Sequence, residues 1–410
     1  MGWTALSPDE VRRRVHAALD ANRSYRDHDI LGLPGTLLDP KVFPATPEVL
    51  ARPWLRTAVE NPNHIGCHTL GSSEPAFMGT HSLEREVISI CAEQILRAEP
   101  GTVDGYIASG GTESNIQAVW AFRNAWRAGG VSPAQVGILC SVDTHYSMHK
   151  AADLLSVGIE TIGVDEWSRQ MTPATIEAAL DRFQAADHTH AIVVFTMGTT
   201  MFGSIDAPAP LLDALDARGI AAMVHVDAAF GGFIYPFTRP DQPLGFHHPR
   251  VHSVTLDAHK MLQAPYGTGI HLIRKGLIDH TTTSAASYVP GLDCTLAGSR
   301  AGANAIAVWM ILHTWGSEGG QAFVCGLTQR ARHLAENLRA REIPVHHTPG
   351  MNLVVMRDVH IPPAISKRFM LVADNHQAPR WRKVVVMDHV DDDAITFFLE
   401  ALDAARSSEQ

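Results

Sequence analysis

Between about residue 104 and residue 274 the chain repeats one rhythm: a short apolar run, a turn rich in small or polar residues, then a segment of helical period. "GYIASGG" leads into "TESNIQAVWAFRNAWRA", and "VGILCSV" into "YSMHKAADLLSVG". "TIEAALDRFQAA", "AIVVFTMG", "PAPLLDALDARG", "AAMVHVDAA", "HSVTLDAH" and "GTGIHLIRK" continue the series. Apolar strands alternating with helices bury both faces when they build a largely parallel sheet with helices on both sides. The expectation is an α/β fold.

The flanks follow other rules. "SPDEVRRRVHAALDANRSY" opens with a Ser-Pro-Asp-Glu start and reads as an amphipathic helix from about Asp9. Residues 28–63 hold six prolines and little periodicity, as in an extended arm that wraps a partner subunit. "THSLEREVISICAEQILRA" is a helix, with Thr80 or Ser82 expected as its cap. From Ser299 two helices are expected in succession, then short strands and a last helix, "DDDAITFFLEALDAAR". That pattern describes a smaller α+β unit. The expected division is an N-terminal helix and arm (1–60), a large domain (61–298), and a connecting helix with a small C-terminal domain (299–410).

A chain of 410 residues, 45% hydrophobic and 19% charged, has ample material for a core. A formal charge of −10 without a Lys/Arg-rich block argues against nucleic acid or an anionic membrane as the main partner. The longest apolar runs are too short to span a bilayer, and Asp9 and Glu10 precede any apolar run, unlike a secretory signal. Five scattered cysteines show no CxxC pair or disulfide framework, so a cytoplasmic location is expected.

Several turns of the series carry chemistry. In "YIASGGTESN" a strand ends at Ser109-Gly110-Gly111-Thr112 and a helix begins, so free amides face an anion there. The spacing is neither a Walker A loop nor GxGxxG, and by itself it also reads as a plain helix start. Asp227 ends the apolar strand of "HVDAAFGG", where α/β sheets bind ligands; alone it could be a helix cap. His145 follows another strand, and Gly198-Thr199-Thr200 follows a third, where a simple Gly-Thr turn would also serve. In "VTLDAHKMLQ" Lys260 stands between His259 and Met261, and a buried ammonium is costly unless paired or deprotonated. His64/His68 and His145/His149 are spaced as metal-ligand pairs, but 23 histidines make chance spacings common and no HExxH is present.

An anion cradle, an imidazole that can stack, a carboxylate and an amine at strand ends of one sheet suit pyridoxal 5′-phosphate. Over roughly residues 60–400 the chain resembles the fold-type I pyridoxal-phosphate enzymes, and among them the group II amino acid decarboxylases. The segments "SGGTESN", His145, "GTTMFGSID", "HVDAAFGG" and "DAHK" occur in the family's order. The resemblance implies a large domain with a mostly parallel seven-stranded sheet covered by helices. It also implies a small C-terminal α+β domain and a homodimer with active sites at the interface. Lys260 would form the Schiff base, Asp227 would pair with the pyridine nitrogen, and His145 would stack on the ring. Gly111, Thr112 and His259 would contact the phosphate, and Thr200 and Ala229 would line the ring. "TLAGSRAG" resembles the segment whose serine, here Ser299, reaches the phosphate across the dimer interface, with Arg300 a structural or substrate-facing cation beside it.

The implied reaction is decarboxylation of an L-amino acid to its amine and CO2. Related enzymes use a mobile-loop tyrosine to protonate Cα, and "TTTSAASYVPGLDC" places Tyr288 in the matching region. No motif names the side-chain pocket. His64, His68, Phe77, Arg380 and Arg382 could face the substrate, or could equally be solvated or structural. "RWRKVVVMDHV" resembles the C-terminal strand of the tyrosine/aspartate decarboxylase-like branch, which usually has proline where Asp388 stands. The rivals are a carbon–carbon lyase of the sphingosine-phosphate-lyase type, a transaminase, a zinc hydrolase built on histidines and an inert binding protein.

Overall fold

The computed structural model describes residues 2–23, 31, 63–65, 73–283 and 292–409. Helix α1 (Pro8–Ala21) starts as its sequence dictates, with Ser7 accepting from the Glu10 amide and Pro8 in the first turn. Strand β1 (Asn63–Ile65) follows, then helix α2 (Met78–Ser89), which continues into a π-helical turn at Ile90–Ile95. The expected cap at Thr80 or Ser82 is not used. Both residues lie inside α2, and its first-turn amides are satisfied from afar: Asn22 Oδ1 accepts from Gly79 N (2.9 Å) and Thr80 N (3.2 Å). A side chain at the end of α1 thus caps α2.

Seven strands then form the main sheet: β2 (Val103–Ala108), β3 (Val136–Ser141), β4 (Gly158–Ile162), β5 (His190–Thr196), β6 (Ala221–Asp227), β7 (Val251–Asp257) and β8 (Gly269–Arg274). Their order is β2-β8-β7-β6-β5-β3-β4. β8 runs antiparallel to both its neighbours, and the remaining pairs are parallel. The central strands are buried along nearly their whole length, as a sheet covered on both faces requires. Helix α3 (Gly111–Ala128) follows β2, α4 (Ser147–Leu155) follows β3, α5 (Pro173–Ala185) follows β4 and α6 (Pro208–Ala217) follows β5. A short α7 (Tyr235–Thr238) follows β6. The parallel strands all point their C-terminal ends to one edge. At β3 the strand order reverses, with β4 on one side and β5 on the other.

β9 (Ser299–Ala301) pairs antiparallel with β1, with Ser299 opposite Ile65. The two helices expected next form one run, α8 (Gly302–Ala340), broken at Gly316, where φ is +61°. The N-terminal segment fills that break: Leu6 N donates to His313 O (2.8 Å) and Ser317 N to Trp3 O (3.0 Å). A Cβ on Gly316 would lie 2.5 Å from Ala5 N, so glycine is required both by φ and by this close approach.

Beyond α8 an antiparallel sheet of order β10-β11-β13-β12 is built from β10 (Val345–His346), β11 (Leu353–Arg357), β12 (Val372–Ala373) and β13 (Trp381–Val385). With α9 (Pro363–Arg368) and α10 (Asp392–Glu409) it encloses its own apolar cluster, which includes Leu334, Val354, Met356, Val386 and Leu402. No helix among the described residues is long and apolar enough to cross a membrane.

Candidate active site

The five loops at the C-terminal ends of β2, β3, β5, β6 and β7 enclose a cavity of about 380 Å³. That volume is within the range of small-molecule sites. Eight of the nine residues expected to act on or hold a cofactor within the described chain line it: Gly111, Thr112, His145, Thr200, Asp227, Ala229, His259 and Lys260. Ser299 is the ninth; it is exposed on β9 and is not part of this lining.

β7 ends in the tight turn Asp257-Ala258-His259-Lys260, closed by the Lys260 amide donating to Asp257 O (3.2 Å). The turn brings Lys260 Nζ to 2.9 Å from Asp257 Oδ2, with the Asp257 side chain only 4% exposed and that of Lys260 37% exposed. Lys260 is therefore neither a solvated surface lysine nor an unpaired buried one. It has a buried counter-ion and opens into the cavity. His259 Nε2 lies 3.6 Å from the same Asp257 oxygen, and its ring stacks on that of Tyr266 at 4.9 Å. Burial lowers the His259 pKa, with Asp257 working against that shift.

Asp227 ends β6 with both carboxylate oxygens engaged: Oδ1 accepts from Ala229 N (3.1 Å) and Oδ2 from Asn115 Nδ2 (2.8 Å). His145, beyond β3, bonds Ser147 Oγ through Nδ1 (2.9 Å), and its ring packs on Tyr146 at 4.1 Å. Burial lowers its pKa too, against the opposing charge of Asp227. After β5 the chain turns sharply at Gly198 (φ +92°), and Thr199 is taken up by Ser204 (Oγ1 to Oγ, 2.7 Å), which leaves Thr200 to face the cavity. Lys383, from β13, donates to Thr200 O (2.6 Å) and anchors this loop to the C-terminal sheet.

On the β2 side the chain enters α3 through Gly110-Gly111-Thr112, whose first-turn amides lack intrahelical partners. Glu113, in the same turn, is drawn back to Ser109 N (2.8 Å) and the Tyr106 hydroxyl (3.1 Å). A Cβ on Gly111 would lie 2.9 Å from Asp257 Oδ2, so glycine keeps the cradle open. Two buried polar atoms at this end, Asp257 Oδ1 and His259 Nδ1, have no hydrogen-bond partner among the described residues. An amine, a carboxylate able to face a ring nitrogen, a helix start for an anion and unsatisfied polar atoms together fit a phosphorylated pyridine aldehyde.

Other candidates fall elsewhere. Arg380 pairs with Glu166, and Arg382 with Asp358 (2.5 Å), so both serve the C-terminal sheet and not the cavity. Arg300 is buried and pairs with Glu84, and Phe77 is buried at the start of α2. His149 is exposed, and no group of three or more metal-ligating side chains occurs among the described residues. The His64 side chain, His68 and Tyr288 lie outside the described residues. Asn115, Ser147, His225, Asp257, Tyr146 and Tyr266 belong to the site or its support and were not anticipated. The available signal was periodicity: His225 is a polar residue two places before Asp227 on one strand face, and Asn115 is one helical turn from Thr112.

A sheet with its ligand cavity at the carboxyl edge, a lysine in a strand-end turn and a carboxylate on the neighbouring strand define a fold-type I pyridoxal-phosphate enzyme. Solved structures share this fold. A rice (Oryza sativa) TDC with PLP and tryptamine aligns at a TM-score of 0.70 and 19% identity, covering 100% of both chains. Glutamate decarboxylase of Lactobacillus brevis aligns at 0.70 and 19% identity, over 99% of this chain and 94% of its own. Residues 65–358 match the pyridoxal-dependent decarboxylase conserved domain. A tryptophan decarboxylase of Clostridium sporogenes is 38% identical over 396 residues, 96% of this chain and 95% of its own length. A probable L-tyrosine/L-aspartate decarboxylase of Methanothrix thermoacetophila is 32% identical over 333 residues, 80% of this chain and 82% of its own. The chain belongs to the pyridoxal-dependent decarboxylase family and is a pyridoxal-phosphate-dependent amino acid decarboxylase, a carboxy-lyase. That assignment displaces the carbon–carbon lyase, transaminase and zinc hydrolase readings.

Proposed function

We propose that the substrate is an aromatic L-amino acid, converted to its arylalkylamine and CO2. The observation that carries this is the lining of the cavity. Among its described residues Lys260 is the sole Lys or Arg, whereas Tyr146, Phe230 and Tyr266 present aromatic rings. A substrate with a side-chain carboxylate would need a second, fixed cation; Arg380 and Arg382 are committed elsewhere, and Lys383, the cation beside Thr200, is held by the Thr200 carbonyl. An indole or phenol ring suits flat aromatic walls. The tryptophan decarboxylase relative, similar over almost the whole chain, supports the same choice.

In this reading Lys260 would hold the cofactor through Nζ. The bound cofactor supplies an electron sink conjugated to the carboxylate-bearing carbon. Asp227, fixed at both oxygens, holds a proton at the ring nitrogen. His145 covers one face of the ring, and Thr200 and Ala229 flank it. The amides of Gly111 and Thr112, with His259, hold the phosphate. Ser299, on β9 and away from its own chain's cavity, serves the neighbouring subunit of a homodimer. Tyr288 delivers the proton to Cα. Four free cysteines among the described residues suit a cytoplasmic enzyme.

The test is a panel of tryptophan, tyrosine, phenylalanine, methionine, aspartate and glutamate with purified holoenzyme, scoring amine and CO2. The aromatic amino acids should exceed aspartate and glutamate in kcat/KM by about a hundredfold or more. A preference for either acidic amino acid overturns the aromatic reading and leaves the decarboxylase assignment standing.

A further inference from the structure

Beneath the cavity, between α3 and the sheet, lies a polar seam that the roles above leave unused. Asn115, Ser147, His225, Ser253 and Thr255 are all at most 1% exposed. Polar groups this deep are costly unless their hydrogen bonds are complete, and complete ones fix orientation.

The donors can be counted outward from Asp227, whose ionised carboxylate only accepts. Asn115 therefore turns its amide nitrogen toward it, with Nδ2 at 2.8 Å from Oδ2. The second hydrogen of Nδ2 goes to Ser147 Oγ at 2.9 Å. Asn115 Oδ1 is then left facing His225 Nε2 at 2.9 Å, so His225 carries its proton on Nε2. His225 Nδ1, without a proton, accepts from Ser253 Oγ at 2.7 Å. On the other branch Ser147 Oγ, accepting from Asn115, donates to His145 Nδ1 at 2.9 Å. The Ser147 amide also donates to that Nδ1 at 3.3 Å. His145 is thereby left with its proton on Nε2. Burial beside His271 pushes the His225 pKa down to about 3, so the neutral imidazole this scheme needs is the stable form.

We infer that Asn115 is a positioning residue that couples Asp227 to His145. One amide group holds the carboxylate and, through Ser147 Oγ, helps to orient the imidazole whose tautomer the Ser147 amide secures, while His225 holds that amide in place. The inference rests on the reading that Asp227 and His145 face the cofactor ring. The coupling means the two groups are arranged as a unit before cofactor arrives.

Two measurements test it. In cofactor-free parent protein labelled with nitrogen-15 histidine, the His145 signals are identified by their loss in His145→Gln. Their shifts should report a proton on Nε2 and none on Nδ1 at neutral pH. In the nearly isosteric Asn115→Leu the Ser147 amide should keep that tautomer, but pyridoxal-phosphate affinity should fall about tenfold or more, and kcat should fall at least as much with KM within about threefold. His225→Gln, which retains an N–H donor, should rescue the parent behaviour, and His225→Leu should follow Asn115→Leu. A proton on Nδ1 of His145 in the parent overturns the inference even where no variant folds. So does an Asn115→Leu protein with parent affinity and kcat. Asp227→Ala separates the two levels. If it loses cofactor affinity while Asn115→Leu does not, only the Asn115 inference falls. If Asp227→Ala itself binds and turns over like the parent, the reading of Asp227 falls.

Discussion

Lys260 and Asp257, three residues apart on one turn, form an ion pair of 2.9 Å whose acidic member is buried and whose basic member opens into the cavity. A lone ammonium at that depth would be penalised by burial, and the carboxylate offsets the penalty. Asp257 keeps one oxygen, Oδ1, without a hydrogen-bond partner among the described residues. The pair therefore presents an amine at a fixed point of the sheet edge without sealing it off.

From this placement, borohydride reduction of the holoenzyme should fix a pyridoxyl group on the peptide containing Lys260. Lys260→Ala should take up no label. Peptide mass spectrometry decides it, and label on any other lysine removes Lys260 from its assigned role.

Asp227→Asn keeps the shape of the side chain and removes its charge. The variant should fold and bind cofactor, because its one amide oxygen can still accept from Asn115 Nδ2 or from the Ala229 amide. Its kcat should fall by about a hundredfold to a thousandfold, as for other fixed charges that stabilise a developing charge. Steady-state kinetics at saturating cofactor is the check, and near-parent turnover contradicts the role.

Tyr288→Phe bears on the fate of Cα after CO2 leaves. A phenol can deliver a proton from a loop that excludes water, and a phenyl ring cannot. The variant should still release CO2, yet yield carbonyl by-products alongside amine. Product analysis by mass spectrometry settles the point. Amine at the parent rate with no carbonyl product transfers the donor role to His145 or Lys260.

Stability should fall steeply in mild acid. Burial pushes His225 and His271 down to about 3 and His252 down to about 4. The unfolded chain takes up these protons near pH 6.5, whereas the folded chain refuses them until far lower pH. Their contribution is complete above about pH 6.5 and is lost as pH falls toward 4. Asp206 acts the other way, since burial raises it to about 7 and the folded chain keeps a proton that the unfolded chain sheds at 3.8. Three histidines against one carboxyl leave a net uptake of protons on unfolding, so stability should fall as pH drops from about 6 to 4. Denaturant melts of the cofactor-free protein at several pH values test this, and a flat profile contradicts it.

Much of the architecture is legible because it is periodic. The strand and helix alternation of residues 104–274, and the chemistry at strand ends, follow from local pattern and from the rule that α/β sheets bind ligands at their carboxyl edge. β4 is not legible in this way. It is a short, half-exposed edge strand that pairs only with β3, so it shows no buried run. The helix break at Gly316 is hidden as well, because Ala5 and Leu6 hold it open from three hundred residues away in the sequence.

The sequence by itself determined the class of fold, the cofactor and the residue types able to bind it, since each is written in segments of about ten residues. Only the tertiary structure decided how those groups are held. Asn22 caps a helix that starts 56 residues later, Asn115 links Asp227 to Ser147 and His145, and Asp257 rather than solvent balances Lys260. The physical reason is that a hydrogen bond or ion pair is specified by position in space. In a buried site the partners come from different strands and helices, and no local pattern records which of them will meet.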